Sequence, residues 1–430
     1  MITPAFGLTA TERVLPKLAL NFTTASLDPR VTFTRSGNTA TVVNSSGLVA
    51  TINADLPRFD YNPVTLVCKG LLIEEARTNI CLNSQDFNTG WLFTNVTVGN
   101  DVVVSPDGTQ NADSLTDNAT TGLHSARRVF AIAASTQYTM SCYVKADTHN
   151  YVQLLAIDGN TTDRYATAIF DVSSSSVETS ATQTAASTGV SIQSSSQVAA
   201  GNGWFRIIFT FTSGSNWSAA TTSCRVAFAA AASGNTIGTT GGISYSGTGT
   251  TFYPWGAQLE AGAFATSYIP TAASQVTRTA DVATMTGANF SDWFNASEGT
   301  FVAEGSYSAN SANCIYVNDG TTSNRILVYF GASAQGLVTT SGAAQASLDG
   351  GTPVVGGALN TVCLSYKADS FRLALQGGST VTDTSGTIPT VSQLNIGAGP
   401  GGQQPLNGVI TGFNYYPLQL TSNEVQAFSK

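Results

Sequence analysis

Apolar residues along this chain come in short bursts, rich in β-branched and aromatic side chains, and clusters of Gly, Ser and Asn end each burst. Tyr138 to Lys145, Phe205-Arg-Ile-Ile-Phe-Thr-Phe-Thr212, Cys224-Arg-Val-Ala-Phe-Ala229 and Arg325 to Phe330 are the clearest. Runs of this length and make-up predict strands. Many of them at short spacing, with few helical patterns between, predict an all-β chain built of tandem antiparallel β-sandwiches of the jelly-roll kind. One short helix is expected, at the C-terminus. In Thr421-Ser-Asn-Glu424 the hydroxyl and the carboxylate each satisfy an orphan N–H, and Val425 and Phe428 supply an apolar stripe.

Three segments emerge. Residues 1–83 are irregular and β-rich, punctuated by Pro4, Pro16, Pro29, Pro57 and Pro63, and must pack on something else. Residues 84–270 read as one sandwich, in which Ser173 to Ser196 is a Ser/Thr/Ala-rich tract forming a long hairpin or a mobile loop. Residues 271–430 read as a second sandwich, entered through a connecting strand at Gln275 to Met285 and closed by the capped helix.

Composition narrows the function classes. Of the 430 residues 10% are charged, against roughly a quarter in an ordinary soluble domain. Ser and Thr make up roughly a quarter of the chain, which suits extended structure. Hydrophobic residues, at 42%, suffice for real cores. Net charge is −8 and no basic run occurs, so the electrostatic footprint of a nucleic-acid binder is missing. No stretch approaches the roughly 18 apolar residues of a membrane span, and no membrane partner is expected. Met1 to Leu20 carries Glu12, Arg13, Pro16 and Lys17 without a compact apolar region, so no signal peptide is read there. Cysteines 68, 81, 142, 224, 314 and 363 never form C-x-x-C, and His124 and His149 are the only histidines, which argues against a zinc site. Buried free thiols are the expectation, with Cys314 and Cys363 the pair to inspect for contact.

The search for reactive constellations is mostly negative, and neither catalytic residues, metal ligands nor cofactors are expected. Gly397-Ala-Gly-Pro-Gly-Gly402 matches G-x-G-x-x-G, but Pro405 and Asn407-Gly408 follow where a phosphate-binding helix would have to start, so it reads as a loop. Glu74-Glu75 is the densest acidic spot, yet neighbours on a strand point to opposite faces, and an ion pair with Arg77 explains it better than catalysis. Asp319 and Asp349 could serve a calcium ion, but nothing in their spacing demands one. Among the aromatics, Trp204 and Trp255 sit within strand runs and read as core. Trp217, in Gly-Ser-Asn-Trp-Ser, and Tyr245, in Gly-Gly-Ile-Ser-Tyr-Ser-Gly, read as loop-tip aromatics and are the candidate ligand-binding residues; if the strands at 205–212, 224–230 and 252–259 are sequential neighbours, the two tips cannot share one site.

Several stretches resemble virion proteins of tailed bacteriophages, the fibre, spike and tail-appendage class. They are Leu20-Asn-Phe-Thr-Thr-Ala-Ser-Leu-Asp-Pro-Arg-Val-Thr-Phe-Thr-Arg35, Pro57-Arg-Phe-Asp-Tyr-Asn-Pro63 and Lys69-Gly-Leu-Leu-Ile-Glu-Glu-Ala-Arg-Thr-Asn79. Asn83 to Phe87, Trp91, Gly203-Trp-Phe-Arg206, Trp255-Gly-Ala-Gln-Leu-Glu260 and Thr266 to Pro270 resemble an attached carbohydrate-binding-module jelly roll. From Gly299-Thr-Phe301 to Gly412, with Leu420 to Glu424, the end is similar to concanavalin A/laminin-G-like lectin domains. The resemblance implies a non-enzymatic appendage that presents loops to a bacterial surface polysaccharide. It also implies a homotrimer, other virion structural proteins as partners, a place on the virion, and a docking role for residues 1–83. A decorating protein of capsid or tail without receptor binding is the alternative; a depolymerase ranks last, because no repeating coil and no E-x-D-x-x-E strand is seen.

Overall fold

The computed structural model describes residues 15–159, 164–174, 176–183, 190–218, 221–231, 235–308, 312–331, 333–351 and 356–430. The expected class holds: the molecule is nearly all β, its strands pair antiparallel, and the described α-helices are Ala288–Ser291 and Ser422–Phe428. Two compact units divide the chain. The first takes the segment ending at Thr34, Lys69–Glu75 and Asp281–Lys430; the second takes Arg35–Cys68 and Ala76–Ala280. Both therefore draw strands from the first 83 residues.

In the first unit, Gly408–Tyr416 is the inner strand of one sheet. One of its edges pairs with Glu298–Tyr307 along its length. The other is shared end to end by Leu18–Asn21, against residues 412–415, and Cys68–Ile73, against residues 408–410. The second sheet has seven strands and includes Thr32–Thr34, Val282–Thr286 and Gln393–Ile396. Between the sheets, Phe301, Tyr366, Phe413, Tyr415, Ile315 and Val328 are fully buried. The tyrosine hydroxyls are not stranded there: Tyr366 donates to the carbonyl of Asn295 at 2.7 Å and meets the Tyr415 hydroxyl at 2.9 Å. The C-terminal helix starts as expected. Thr421 N–H donates to Glu424 Oε2 at 2.8 Å, Glu424 N–H returns to Thr421 Oγ1 at 3.4 Å, and Val425 is buried.

The second unit is a sandwich of two six-stranded sheets. One contains Trp204–Thr212, Gln137–Ala146 and Thr251–Ala261; the other contains Tyr151–Asp158, Thr222–Phe228 and Ser125–Phe130. Val144, Leu154, Phe170, Phe209, Phe211 and Phe228 fill the space between them. The Ser/Thr-rich tract supplies an edge strand to each sheet, Ser176–Gln183 and Ser191–Ala199; its residues 175 and 184–189, like residues 1–14, lie outside the described residues. The hairpin Ala40–Val43/Val49–Ile52 is held by buried arginines. Arg35 donates to the carbonyls of Asn53, Leu56 and Asn38 at 2.6–3.3 Å. Arg58 donates to Thr41 O at 3.0 Å and, together with Arg278, to the Ser267 hydroxyl at 2.7 Å.

All six cysteines are free thiols, five buried and Cys68 half-buried, so Cys314 and Cys363 are not bonded to each other. Burial pushes the thiols of Cys142 and Cys224 up to about 12, which keeps them protonated and inert. The glycine-rich string forms a loop as expected, with a single 3-10 turn at Pro400–Gly402 where a phosphate cradle would need a helix.

Gly70 explains why the Lys69-Gly-Leu-Leu-Ile string tolerates no side chain at its second position. Its φ is +129°, and a Cβ there would collide with the carbonyl oxygen of Ile410 on the paired strand. Gly70→Ala is expected to lower stability by about 2 kcal/mol or more in denaturant titrations. An unchanged midpoint would show that this pairing does not hold the first unit together.

Candidate functional site

Asp117 ends the strand Gln110–Asp117 and sits nearly buried beneath the segment leading into Thr251–Ala261. Its carboxylate collects four donors: the Tyr245 hydroxyl at 2.7 Å, Thr250 N–H at 2.6 Å, the Thr250 hydroxyl at 3.1 Å and Thr248 N–H at 3.4 Å. Burial pushes this carboxyl up, but the hydrogen bonds, that of Tyr245 foremost, outweigh it and hold Asp117 below its ordinary value. The same contact works on Tyr245, whose phenol is pushed far up by burial and by the adjoining carboxylate.

Both histidines of the chain converge here. The His124 ring lies 4.6 Å from that of Tyr245, and the His149 ring 4.7 Å from Phe228. His149 Nε2 faces the carbonyls of Tyr151 and Ala229, both at 3.0 Å, so it carries the proton. Its Nδ1 lies 3.0 Å from the Thr250 hydroxyl, whose single proton it shares with Asp117. An ionised carboxylate, a protonated phenol and a fully engaged His149 imidazole form a latch for the 245–250 segment. His124, held through Nε2 by Asn118 O at 3.1 Å, has a buried Nδ1 with no partner among the described residues. The sequence reading singled out Tyr245 but missed Asp117 and His149; the signal available was that the chain spends its only two histidines within 26 residues of each other.

Trp217 corrects an expectation. It lies in a loop, as read, but only 3% of it is exposed, and it belongs to the sandwich core. Its ring packs 6.1 Å from Phe211, and its indole N–H donates to the Thr222 hydroxyl at 2.8 Å. A tryptophan that closes a turn, as Trp217 does by donating its backbone N–H to Gly214 O, can fold back over the sheet it leaves, and the apolar gain of burying it decides the matter. Tyr245 packs against the same core from its own position. Trp204 and Trp255 are buried as expected, with the Trp204 N–H donating to Val104 O at 3.1 Å.

An open cleft lies elsewhere on the same unit. It has a volume of about 380 Å³, near the lower end of the range for small-ligand sites, and Pro63, Val64, Leu66 and Phe205 wall it with Ser46 and Asn202 among its polar groups. The turn Gly201-Asn-Gly203 between Ser191–Ala199 and Trp204–Thr212 forms one side, with Asn202 in the left-handed region at φ 52°. Val64 and Leu66 are 60% and 48% exposed, so the cleft presents apolar surface to solvent. No ionisable side chain lines it. It can hold a neutral ligand but supplies neither a proton donor nor an acceptor of the kind hydrolysis needs.

The latch makes stability depend on pH. Burial lowers the pKa of His149, so the unfolded chain takes up a proton that the folded one resists. The stabilising effect is therefore complete above the unfolded value of about 6.5 and declines as pH falls below it. The thermal midpoint is expected to drop between pH 7.5 and 5, and His149→Gln to show a smaller drop from a lower starting point. Parallel curves for the two proteins would contradict this.

Residues 290–426 match the family model described as the concanavalin A-like lectin/glucanases superfamily, of laminin G type. No curated protein matches the chain. Among solved structures, the carbohydrate-binding module CBM40 of a Ruminococcus gnavus sialidase, bound to α2,6-sialyllactose, is similar over 32% of this chain and 85% of its own, at 20% identity and a TM-score of 0.28. Domains LG4-5 of the mouse laminin α1 chain are similar over 72% and 90%, at 9% identity and a TM-score of 0.24. Chicken galectin 2 is similar over 27% and 88%, at 19% identity and a TM-score of 0.21. At such scores no residue role carries across from these structures. Within a nearly all-β chain, residues 290–426 are thus the part similar to concanavalin A-like lectin domains of the laminin G type.

Proposed function

We propose that this protein binds glycans without cleaving them and serves as an appendage of a virion. The observation that carries the glycan reading is the open cleft of the second unit, with apolar walls, neutral polar groups and no ionisable lining. A pyranose offers the complementary surface, an apolar ring face edged by hydroxyls. The lectin-type match of residues 290–426 supports the same ligand class. The virion setting rests on the resemblance of Pro57–Pro63 and Lys69–Asn79 to phage appendages, and with it a homotrimer, other virion proteins as partners and host-surface polysaccharide as the target. Weak sites suffice in that setting, because repetition on one particle raises the effective concentration.

A glycan array probed with the full chain tests the reading, followed by titration of the best ligand into Val64→Asp and Phe205→Ala. Val64 is 60% exposed, so its substitution should leave the melting temperature within a few degrees of the parent. Affinity is expected to fall at least about tenfold in both variants, some 1.4 kcal/mol. Absence of binding to every glycan would overturn the reading, and undiminished host adsorption by particles lacking the protein would remove the receptor role.

A further inference from the structure

In the second unit the strands Ser125–Phe130 and Thr222–Phe228 run side by side, with Ser125 opposite Ala227, Arg127 opposite Arg225 and Val129 opposite Ser223. Ala126, Cys224, Val226 and Phe228 turn into the core, so Ser125, Arg127, Ser223 and Arg225 share the opposite face. Two arginines thus stand directly across from each other, with Cβ atoms roughly 5 Å apart, an arrangement of like charges that costs stability.

Neither has a partner among the described residues. The contrast with the other described arginines is complete. Arg30 and Arg164 hold carboxylates, Arg35 and Arg58 hold backbone carbonyls, and Arg206 and Arg278 hold serine hydroxyls. The other described arginines are hydrogen-bonded as well. Arg225 is half-buried, and its Nε is an orphan. Burial, and then the charge of Arg127, bring its pKa down to about 10.

A second observation points the same way. Each arginine is preceded two residues earlier, on the same face, by a serine. Ser125 and Ser223 are 0% and 6% exposed, and the hydroxyl of each has no hydrogen-bond partner. Buried hydroxyls rarely go unsatisfied in a native fold. Leu92, opposite Arg127 on the next strand, and Val129 are 50% and 46% exposed, so the face opens to solvent beside the pair.

We infer that Arg127 and Arg225, flanked by Ser125 and Ser223, form an anion subsite for a carboxylate- or phosphate-bearing saccharide. An anion between the two guanidinium groups accepts from both forks, in the planar geometry that carboxylate and phosphate share, and cancels the repulsion. The serine hydroxyls lie buried beside the pair, on the same strands. Leu92 and Val129 offer an apolar rim to a sugar ring. This inference rests on the glycan reading and narrows the ligand to the acidic class.

Calorimetric titration of the full chain with three probes tests it: an oligosaccharide ending in glucuronic acid, its glucose-ended counterpart, and inorganic phosphate. The acidic sugar is expected to bind at least about tenfold more tightly than the neutral one, and to weaken as salt rises. Arg127→Gln and Arg225→Gln are each expected to abolish that preference while leaving the melting temperature unchanged or raised, since one of two repelling charges is gone. A purely structural pair would instead lose stability on substitution. Equal binding of the two sugars, unaffected by either variant, overturns the subsite and leaves the glycan reading standing. Phosphate binding that either variant abolishes, with neither sugar bound, supports the anion site and removes its link to glycans. No binding of any probe overturns the inference.

Discussion

The strand Gly408–Tyr416 must find backbone partners along both edges, and the way it does so fixes the first unit. One edge is taken by Glu298–Tyr307, a neighbour in the same C-terminal stretch. The other is filled from the far end of the chain, by Leu18–Asn21 and Cys68–Ile73. A buried strand left half-paired would strand several N–H and C=O groups, each costing on the order of 1–3 kcal/mol. The N-terminal strands are therefore structural members of this sheet. Gly408 shows how closely the edges approach: a Cβ there would run into the carbonyl of Ser306. Pairings that span most of the sequence also make folding slow, since the chain must close these loops before any ladder rewards them.

Local rules were legible where the physics is local. The strands of the long runs, the capping box at Thr421, the inert thiols and the loop at Gly397–Gly402 all depend on a few consecutive residues, and the structure shows them as read. What could not be read was contact between distant segments. Nothing in Leu18–Asn21 names Tyr415 as its neighbour, because any strand of the right alternation could fill that edge. Trp217 failed for a related reason: the flanking Gly and Ser announce a loop correctly, but whether the ring points outward depends on Phe211 and Thr222. Tyr245 belongs in between. Its place near a turn was legible, its hydrogen bond to Asp117 was not.

Scarcity of charge sharpens everything that charge does here. With 18 Lys and Arg against 26 Asp and Glu in 430 residues, few ion pairs can form by accident. Most described arginines therefore satisfy backbone or hydroxyl oxygens, as Arg35 does in gathering the hairpin Ala40–Val43/Val49–Ile52. That use suits a planar fork with five donors better than an ammonium would, and it explains why the arginine of Pro57-Arg-Phe-Asp-Tyr is buried.

The second unit handles two charged features in opposite ways. The Asp117 carboxylate receives four donors, and its surroundings are arranged so that the ionised form is the stable one. Arg127 and Arg225, on the same sandwich, receive no acceptor among the described residues, although serines stand two residues away on the same strands. Those hydroxyls could have turned to the guanidinium groups as Ser141 does to Arg206 and Ser267 to Arg278. A fold that completes the coordination of one buried charge and leaves a like-charged pair incomplete bears a cost at that face, which an anion bound there would offset.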